Sequence, residues 1–211
     1  MKFLNSAVCV VLMSLASFAC DKDDDKNTDT PQPDLEVKAA KDIPANLEEG
    51  GTPKFTYYSL RTGEIVNESA ANSKQWDLAF SGTKILVNGG ASGPGEGAAL
   101  ILEGELFDEV EEAPAEGYTQ DGEEVLAIPA GSGNGWYKYT GGEPPIHAIL
   151  PIVGRVIVLK TGDGKYAKVE IISYYKGNPD TSTEEFADPE KREGRYYTFN
   201  YVLQTDGSRN F

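Results

Sequence analysis

Short runs of β-branched and aromatic residues, bounded by Gly, Pro, Asn and Asp, recur from about residue 55 to the end of the chain. This pattern is typical of strands in an all-β domain. The clearest runs are Arg155–Lys160 and Tyr166–Tyr174, which flank a turn sequence at 161–165 and so predict a hairpin. Arg195–Gln204 repeats the period of two and predicts a third strand. We expect these three strands near the centre of the domain.

The alternation within the second arm of the hairpin predicts which side chains are buried. Ala167, Val169 and Ile171 fall on one face, whereas Lys168 and Glu170 fall on the other. A strand of this kind packs its apolar face on the core and leaves its polar face in water. We therefore expect the Lys168 side chain to be exposed to solvent.

The N-terminal half of the domain carries shorter runs of the same kind. Phe55–Leu60 and Ile65–Val66 predict a second hairpin, and Trp76–Phe80 and Lys84–Val87 predict two further strands. No stretch of the domain has a long apolar period of 3.6 residues, and only Glu105–Ala115 could hold one short helix. The predicted fold class is all-β, built of antiparallel sheets and hairpins with little helix.

The start of the chain has a different pattern. Lys2 precedes a mostly apolar run from Ala7 to Ala19, which has the length of the hydrophobic region of a signal peptide. The run is too short to span a bilayer as a helix. We therefore expect residues 1–19 to be a secretory signal that is removed on export.

Cys20 follows a small residue at the end of this signal, as lipoprotein signal peptidase requires. Lipidation of Cys20 would supply the several hydrophobic chains that stable anchoring needs. The alternative is ordinary cleavage after Ala19, which would leave Cys20 as an unpaired thiol. Cys9 lies in the segment that is removed, so the mature chain would have no disulfide.

Residues 20–33 are polar, charged and without aromatic residues, so we expect a flexible tether before a single domain at 34–211. The acidic run at Asp23, Asp24 and Asp25 resembles the signal that places Bacteroidetes lipoproteins on the outer face of the outer membrane. The alternative is a solvated linker with no addressing role.

The charge of the chain argues against two classes of partner. The formal net charge is −15 at pH 7, and removal of residues 1–19 would make it −16 because Lys2 is lost. An acidic surface repels nucleic acid and anionic membrane surfaces. Contact with a membrane is therefore expected only through the lipid anchor, and no nucleic acid is expected as a partner.

The usual catalytic constellations are missing from the domain, which makes an enzyme the least favoured class. The domain has one histidine, His147, and no cysteine, so neither a Cys/His pair nor a two-histidine metal site can form. The glycine-rich loop at 88–97 is not followed by Lys-Ser/Thr, so we expect glycines that provide positive φ values and no phosphate site. The carboxylates at 108–112 favour a solvated acidic face over a calcium site.

The segment 141–154 is apolar, carries three prolines and contains His147. Proline disfavours both helix and central strand, so this segment is predicted to be a stiff loop. It follows three aromatic residues, Trp136, Tyr137 and Tyr139. The loop either folds down as part of the core or presents a binding surface.

Several ordered blocks of the domain resemble the HmuY family of haem-binding lipoproteins of Bacteroidetes. The resemblance covers about residues 55–199. The blocks that carry it are Tyr58–Val66, Trp76–Phe80, the glycine loop 88–97, Gly117-Tyr118, Gly135-Trp136, Arg155-Val156 and Asp163–Val169. It implies a hand-shaped all-β fold, a location on the surface of the outer membrane, and delivery of haem to a TonB-dependent receptor.

The resemblance also implies an iron site, but the ligand pair of the family is not preserved. Family members hold haem iron between two histidines or two methionines, whereas the mature chain has one histidine and no methionine. His147 is then the expected iron ligand, with water or a phenolate from Tyr137 or Tyr139 opposite it. Trp136, Ile146 and Ile149 are the expected apolar contacts. The alternative is a surface lipoprotein of this family that binds a different ligand or a partner protein without haem.

Overall fold

The computed structural model describes residues 35–211, and within this range the chain forms three antiparallel sheets. The predictions for the signal peptide, Cys20 and the tether lie outside the described residues. The strands are β1 (Lys38–Pro44), β2 (Thr56–Ser59), β3 (Glu64–Val66), β4 (Leu78–Ser81), β5 (Lys84–Val87), β6 (Ala98–Glu103), β7 (Tyr137–Tyr139), β8 (Ile149–Pro151), β9 (Arg155–Lys160), β10 (Tyr166–Tyr175) and β11 (Gly194–Gln204). In the described part of the chain, helix is limited to α1 (Glu184–Ala187) and the 3₁₀ turns Glu49–Gly51, Glu68–Ala70, Phe107–Glu109 and Pro189–Lys191.

The sheets confirm the predicted all-β class and both predicted hairpins. The largest sheet has the strand order β1-β11-β10-β9-β6, so the predicted hairpin and the third strand occupy its centre. The second sheet has the order β3-β2-β4-β5, and β7 and β8 form a two-stranded ribbon. Within β9 and β10, Ala167 pairs with Leu159 and Val169 with Ile157.

The main apolar core joins side chains of the two larger sheets. Tyr58 of β2 meets Phe199 of β11 edge to face, with ring centroids 5.4 Å apart. Phe80 of β4 packs against Tyr197 of β11 at 4.7 Å. Ala167, Val169 and Ile171 belong to the same cluster, as predicted. Aromatic pairs of this kind add to the stabilisation that comes from buried apolar area.

The prediction that Lys168 lies in water is wrong. Lys168 is only 6% exposed. Its ammonium group donates hydrogen bonds to the carbonyl oxygens of Phe107 at 2.8 Å and Val110 at 2.9 Å. The ammonium also lies 4.7 Å from the Phe107 ring centroid and 5.5 Å from that of Phe211. The outer face of the sheet is therefore covered by a second apolar cluster, which includes Phe107, Val110 and Phe211.

The glycine-rich loop is shaped by a buried side chain. Asn88 donates hydrogen bonds to the carbonyl oxygens of Ser73 and Trp76, both at 2.8 Å. A Cβ atom on Gly93 would lie 2.2 Å from the Asn88 Oδ1 atom, which is too close for any side chain. Of the five glycines in this loop, only Gly90 has a positive φ. The glycines are thus required mainly for close approach to Asn88, not for their backbone angles as predicted.

We expect Lys168→Ala to lower the free energy of unfolding by about 2 to 4 kcal/mol, because it leaves two buried carbonyl oxygens without a donor. Ile171→Ala should cost about 2 to 5 kcal/mol, as core truncations do. The matched control is Lys84→Ala, an exposed lysine on β5, which should cost less than about 0.5 kcal/mol. Urea unfolding of the three variants measures these values. Equal stability of the two lysine variants would contradict the buried role of Lys168.

We also expect the fold to be lost at alkaline pH through its buried tyrosines. Burial raises the pKa values of Tyr58 and Tyr197, and raises the pKa of Tyr174 to about 12. Their pKa in the unfolded chain is about 10, so the unfolded state releases protons first as the pH rises. The contribution of these tyrosines to the free energy of unfolding should be constant up to about pH 9 and should fall above about pH 10.

The measurement follows phenolate absorbance and circular dichroism in the same titration. Exposed tyrosines should ionise first with the sheet signal intact, and the buried ones should ionise together with loss of that signal. Ionisation of every tyrosine near pH 10 with an intact fold would contradict the burial of these phenols.

Candidate functional site

The loop between β7 and β8 is closed by a network around Thr140. The Thr140 hydroxyl donates to the carbonyl oxygen of Pro145 at 2.6 Å and accepts from the Ala148 amide at 2.8 Å. The His147 amide donates to the carbonyl oxygen of Gly141 at 2.7 Å. Because both ends of the loop are bonded to each other, the position of the His147 backbone is fixed by the β7–β8 ribbon.

Two contacts fasten this loop to the rest of the molecule. The Arg192 guanidinium donates to the carbonyl oxygen of Ile146 and, at 2.6 Å, to that of Phe186. The same guanidinium lies 4.8 Å from the Phe186 ring centroid. The Ile149 amide donates to the Tyr175 hydroxyl at 2.9 Å. The loop is thereby held against the end of β10 and the segment that precedes β11.

His147 is presented at the surface in an uncommon backbone conformation. Its φ is +52°, in the left-handed region, which is costly for a residue with a side chain. Its Nδ1 atom lies 2.6 Å from the Tyr139 hydroxyl, and the two rings stack with an interplanar angle of 22°. No hydrogen bond of Nε2 is found within residues 35–211. The imidazole is therefore oriented through one nitrogen while the other stays open.

A cavity of about 500 Å³ adjoins His147. This volume falls in the range of small-molecule sites, about 300 to 1,000 Å³. Its lining combines aromatic rings with charged groups and consists of Asn46, His147, Ile149, Tyr174, Tyr175, Pro189, Arg192, Glu193, Gly194, Arg195 and Tyr196. A ligand here would meet flat apolar faces and hydrogen-bond donors at once.

Tyr174 and Arg195 both line this cavity. Burial raises the pKa of Tyr174 to about 12, and a hydrogen bond with the Arg195 side chain opposes this rise. Tyr174 is therefore a neutral phenol at pH 7. Arg195 is exposed and, like His147, has a left-handed backbone, with a φ of +66°. Neither Arg195 nor Arg192 has an ion-pair partner within the described residues.

The six residues predicted from sequence to bind haem fall into two groups. Four lie at or beside the loop: His147 and Ile149 line the cavity, Tyr139 is 44% exposed and Ile146 is 39% exposed. Of these residues, Tyr139 contacts the His147 imidazole directly.

The other two lie in the core. Trp136 is 2% exposed and donates from its indole nitrogen to the carbonyl oxygen of Thr83 at 3.1 Å. Tyr137 is 7% exposed and packs on Trp136 with ring centroids 4.9 Å apart. With so little surface, these two rings support the loop from beneath and offer a ligand almost no contact.

Sequence reasoning missed Tyr174, Tyr175, Arg192 and Arg195. The tyrosines belong to a strand pattern, and nothing local distinguishes them from other core residues. A signal was present for the arginines, since 191–195 places three cations in five residues of a strongly acidic chain. Such a local reversal of charge is worth testing as a binding feature.

Two further findings bear on the class of site. Within residues 35–211, no group of three or more His, Cys, Asp or Glu side chains could hold a metal ion. In the same part of the chain, no helix is both long and apolar enough to cross a membrane.

Solved structures with a similar fold are known. The chain is 19% identical to an apo HmuY analogue of Tannerella forsythia, with a TM-score of 0.50 over 82% of this chain and 99% of that one. It is 18% identical to apo PinO of Porphyromonas gingivitis, with a TM-score of 0.51 over 80% of this chain and 98% of that one. At these identities the likeness concerns the fold alone.

At the level of sequence, the chain matches a protein family but no individual curated protein. The family model described as HmuY protein matches residues 51–201, which is well over half of the chain and spans β2 to β11. This match leads to one conclusion: the chain belongs to the HmuY family.

Proposed function

We propose that this protein binds haem in the cavity beside His147 and serves haem acquisition at the cell surface. The observation that supports the proposal best is the open Nε2 atom of His147 at the edge of a cavity of ligand size. Membership of the HmuY family supports the same ligand, because the family resemblance implies haem binding.

The donor set of the cavity fits haem. Imidazole is a common ligand of haem iron, and a partner on its second nitrogen fixes the orientation of the ring. Tyr139 is that partner here. Tyr196 and Ile149 provide flat or apolar surface for the porphyrin, and a guanidinium group of the lining provides donors for its carboxylates. Bound haem would supply an iron centre that accepts the imidazole as a ligand.

The geometry favours one protein ligand to iron. Nδ1 and Nε2 lie on opposite sides of the imidazole, and the Tyr139 hydroxyl contacts Nδ1. In this arrangement Tyr139 supports His147 and does not stand opposite Nε2. Tyr137 is buried against Trp136. Of the residues predicted from sequence as iron ligands, His147 would then be the one that holds a bound haem.

The cellular setting completes the proposal. The signal at residues 1–19, a lipid on Cys20 and the tether at 20–33 would place the domain at 34–211 outside the cell, anchored in the outer membrane. The family resemblance implies a TonB-dependent receptor as the partner that takes the haem. The described domain needs no catalytic step for this role.

We expect wild type to bind haem with a saturable shift of the Soret band and a Kd below about 10 μM. His147→Ala should weaken haem binding by about tenfold or more, because the strong iron ligand is lost. Binding of metal-free protoporphyrin should change little, since it depends on the apolar contacts alone. The Tyr139→Phe variant is the matched control and should keep the Soret shift, with a smaller loss of affinity.

Two outcomes would contradict this site. Absence of saturable binding by wild type would remove haem as the ligand and favour a different ligand or a partner protein at the loop. If His147→Ala binds haem as tightly as wild type does, with protoporphyrin binding also unchanged, the imidazole does not reach the iron. A screen for hydrolase activity on the same preparation tests the enzyme alternative.

We expect Cys20→Ser to release the protein from the membrane fraction, because the variant cannot be lipidated. Cys9→Ser is the matched control, since it removes a thiol from the signal segment and should leave membrane association unchanged. Fractionation and mass spectrometry of the mature N-terminus measure both. Recovery of wild type in the soluble periplasmic fraction with a free N-terminus at residue 20 would contradict lipid anchoring.

A further inference from the structure

The cavity beside His147 is a cationic spot on an acidic protein. The chain carries 34 acidic and 19 basic residues, yet two arginines line this cavity. Its one acidic lining residue is Glu193, whose carboxylate pairs with the Lys176 ammonium at 2.9 Å. Neither arginine is neutralised by a carboxylate within residues 35–211. The cavity therefore presents positive charge where the whole molecule presents negative charge.

The two arginines differ in what their guanidinium groups already do. Arg192 donates to the carbonyl oxygens of Ile146 and Phe186, and it lies over the rings of Tyr175 and Phe186 at 5.6 and 4.8 Å. It is committed to holding the loop in place. Among residues 35–211, the Arg195 guanidinium has only the neutral phenol of Tyr174 as a partner, and a phenol does not cancel its charge.

The backbone at Arg195 supports a role other than packing. The residue stands at the second position of β11 with a φ of +66°, and its side chain is exposed. A left-handed conformation costs free energy for a residue with a Cβ atom, and such residues cluster at ligand sites. His147, which lines the same cavity, has the same feature. Two residues with strained backbones therefore line the same cavity. His147 brings an imidazole to it and Arg195 a guanidinium.

We propose that Arg195 binds a carboxylate of the ligand held beside His147, so that the site selects porphyrins with ionised propionates. This inference rests on the proposed function. A guanidinium matches a carboxylate with two parallel hydrogen bonds, and partial enclosure in the cavity strengthens the pair relative to water. A ligand with two negative charges approaches a protein of net charge −15, so a local cation offsets the repulsion.

The experiment compares haem with its dimethyl ester, in which both propionates are neutral, in one detergent-containing buffer. Wild type should bind haem about tenfold more tightly than the ester, a difference of about 1.4 kcal/mol. Arg195→Gln should weaken haem about tenfold and leave the ester unchanged, whereas Arg195→Lys should retain part of the preference. Lys84→Gln removes the same charge from β5, away from the cavity lining, and should change neither affinity.

The results distinguish the role of Arg195 from haem binding at the site itself. If wild type binds haem and Arg195→Gln binds it equally well, the role of Arg195 is overturned and the haem site stands. If Arg195→Gln weakens both ligands alike, Arg195 acts on the shape of the cavity and the inference fails. Should Arg195→Gln not fold, equal wild-type affinities for haem and ester would overturn it independently. If wild type binds neither ligand, the proposed function and this inference both fall.

Discussion

The pairing of β10 with β11 is the constraint on which the rest of the structure depends. These are the two longest strands, with 10 and 11 residues, and their antiparallel register runs from Tyr166 opposite Gln204 to Tyr175 opposite Gly194. The main core packs on one face of this pair and the second apolar cluster on the other. Since each strand presents alternate residues to each face, a change of register by one residue would exchange the two sets.

The same pairing builds the candidate site where its regular register ends. The register shifts between Ile171 and Ser173 and again between Ser173 and Tyr175. Irregular pairing of this kind turns side chains away from the sheet, and here Tyr174, Tyr175 and Arg195 line one cavity. The loop with His147 then docks on this irregular end through Arg192. The sheet and the loop that Arg192 holds in place together form a cavity of ligand size. The open Nε2 atom of His147 lies beside it.

Local patterns in the sequence predict β2 to β5 and β9 to β11, because a period of two reflects the geometry of a single strand, but they do not predict β1, β7 or β8. They fail where distant segments decide the outcome. Lys168 was expected in water, yet residues near Phe107, about sixty positions earlier, cover it and provide its hydrogen-bond acceptors. His147 could be singled out because the domain has one histidine. The sequence marks Arg195 only as one of the three cations at 191–195, because its place at the cavity depends on the register of two strands and on the loop from β7 to β8.

The single histidine also provides the most direct test of the central claim, that His147 binds the iron of a porphyrin through Nε2. Its imidazole signals in a nuclear magnetic resonance spectrum can be assigned without mutation, since no other histidine is present. Titration with diamagnetic gallium protoporphyrin should shift the Nε2 resonance strongly, with Nδ1 retaining its hydrogen bond to Tyr139. Saturable binding of the porphyrin with unchanged His147 resonances would contradict the account.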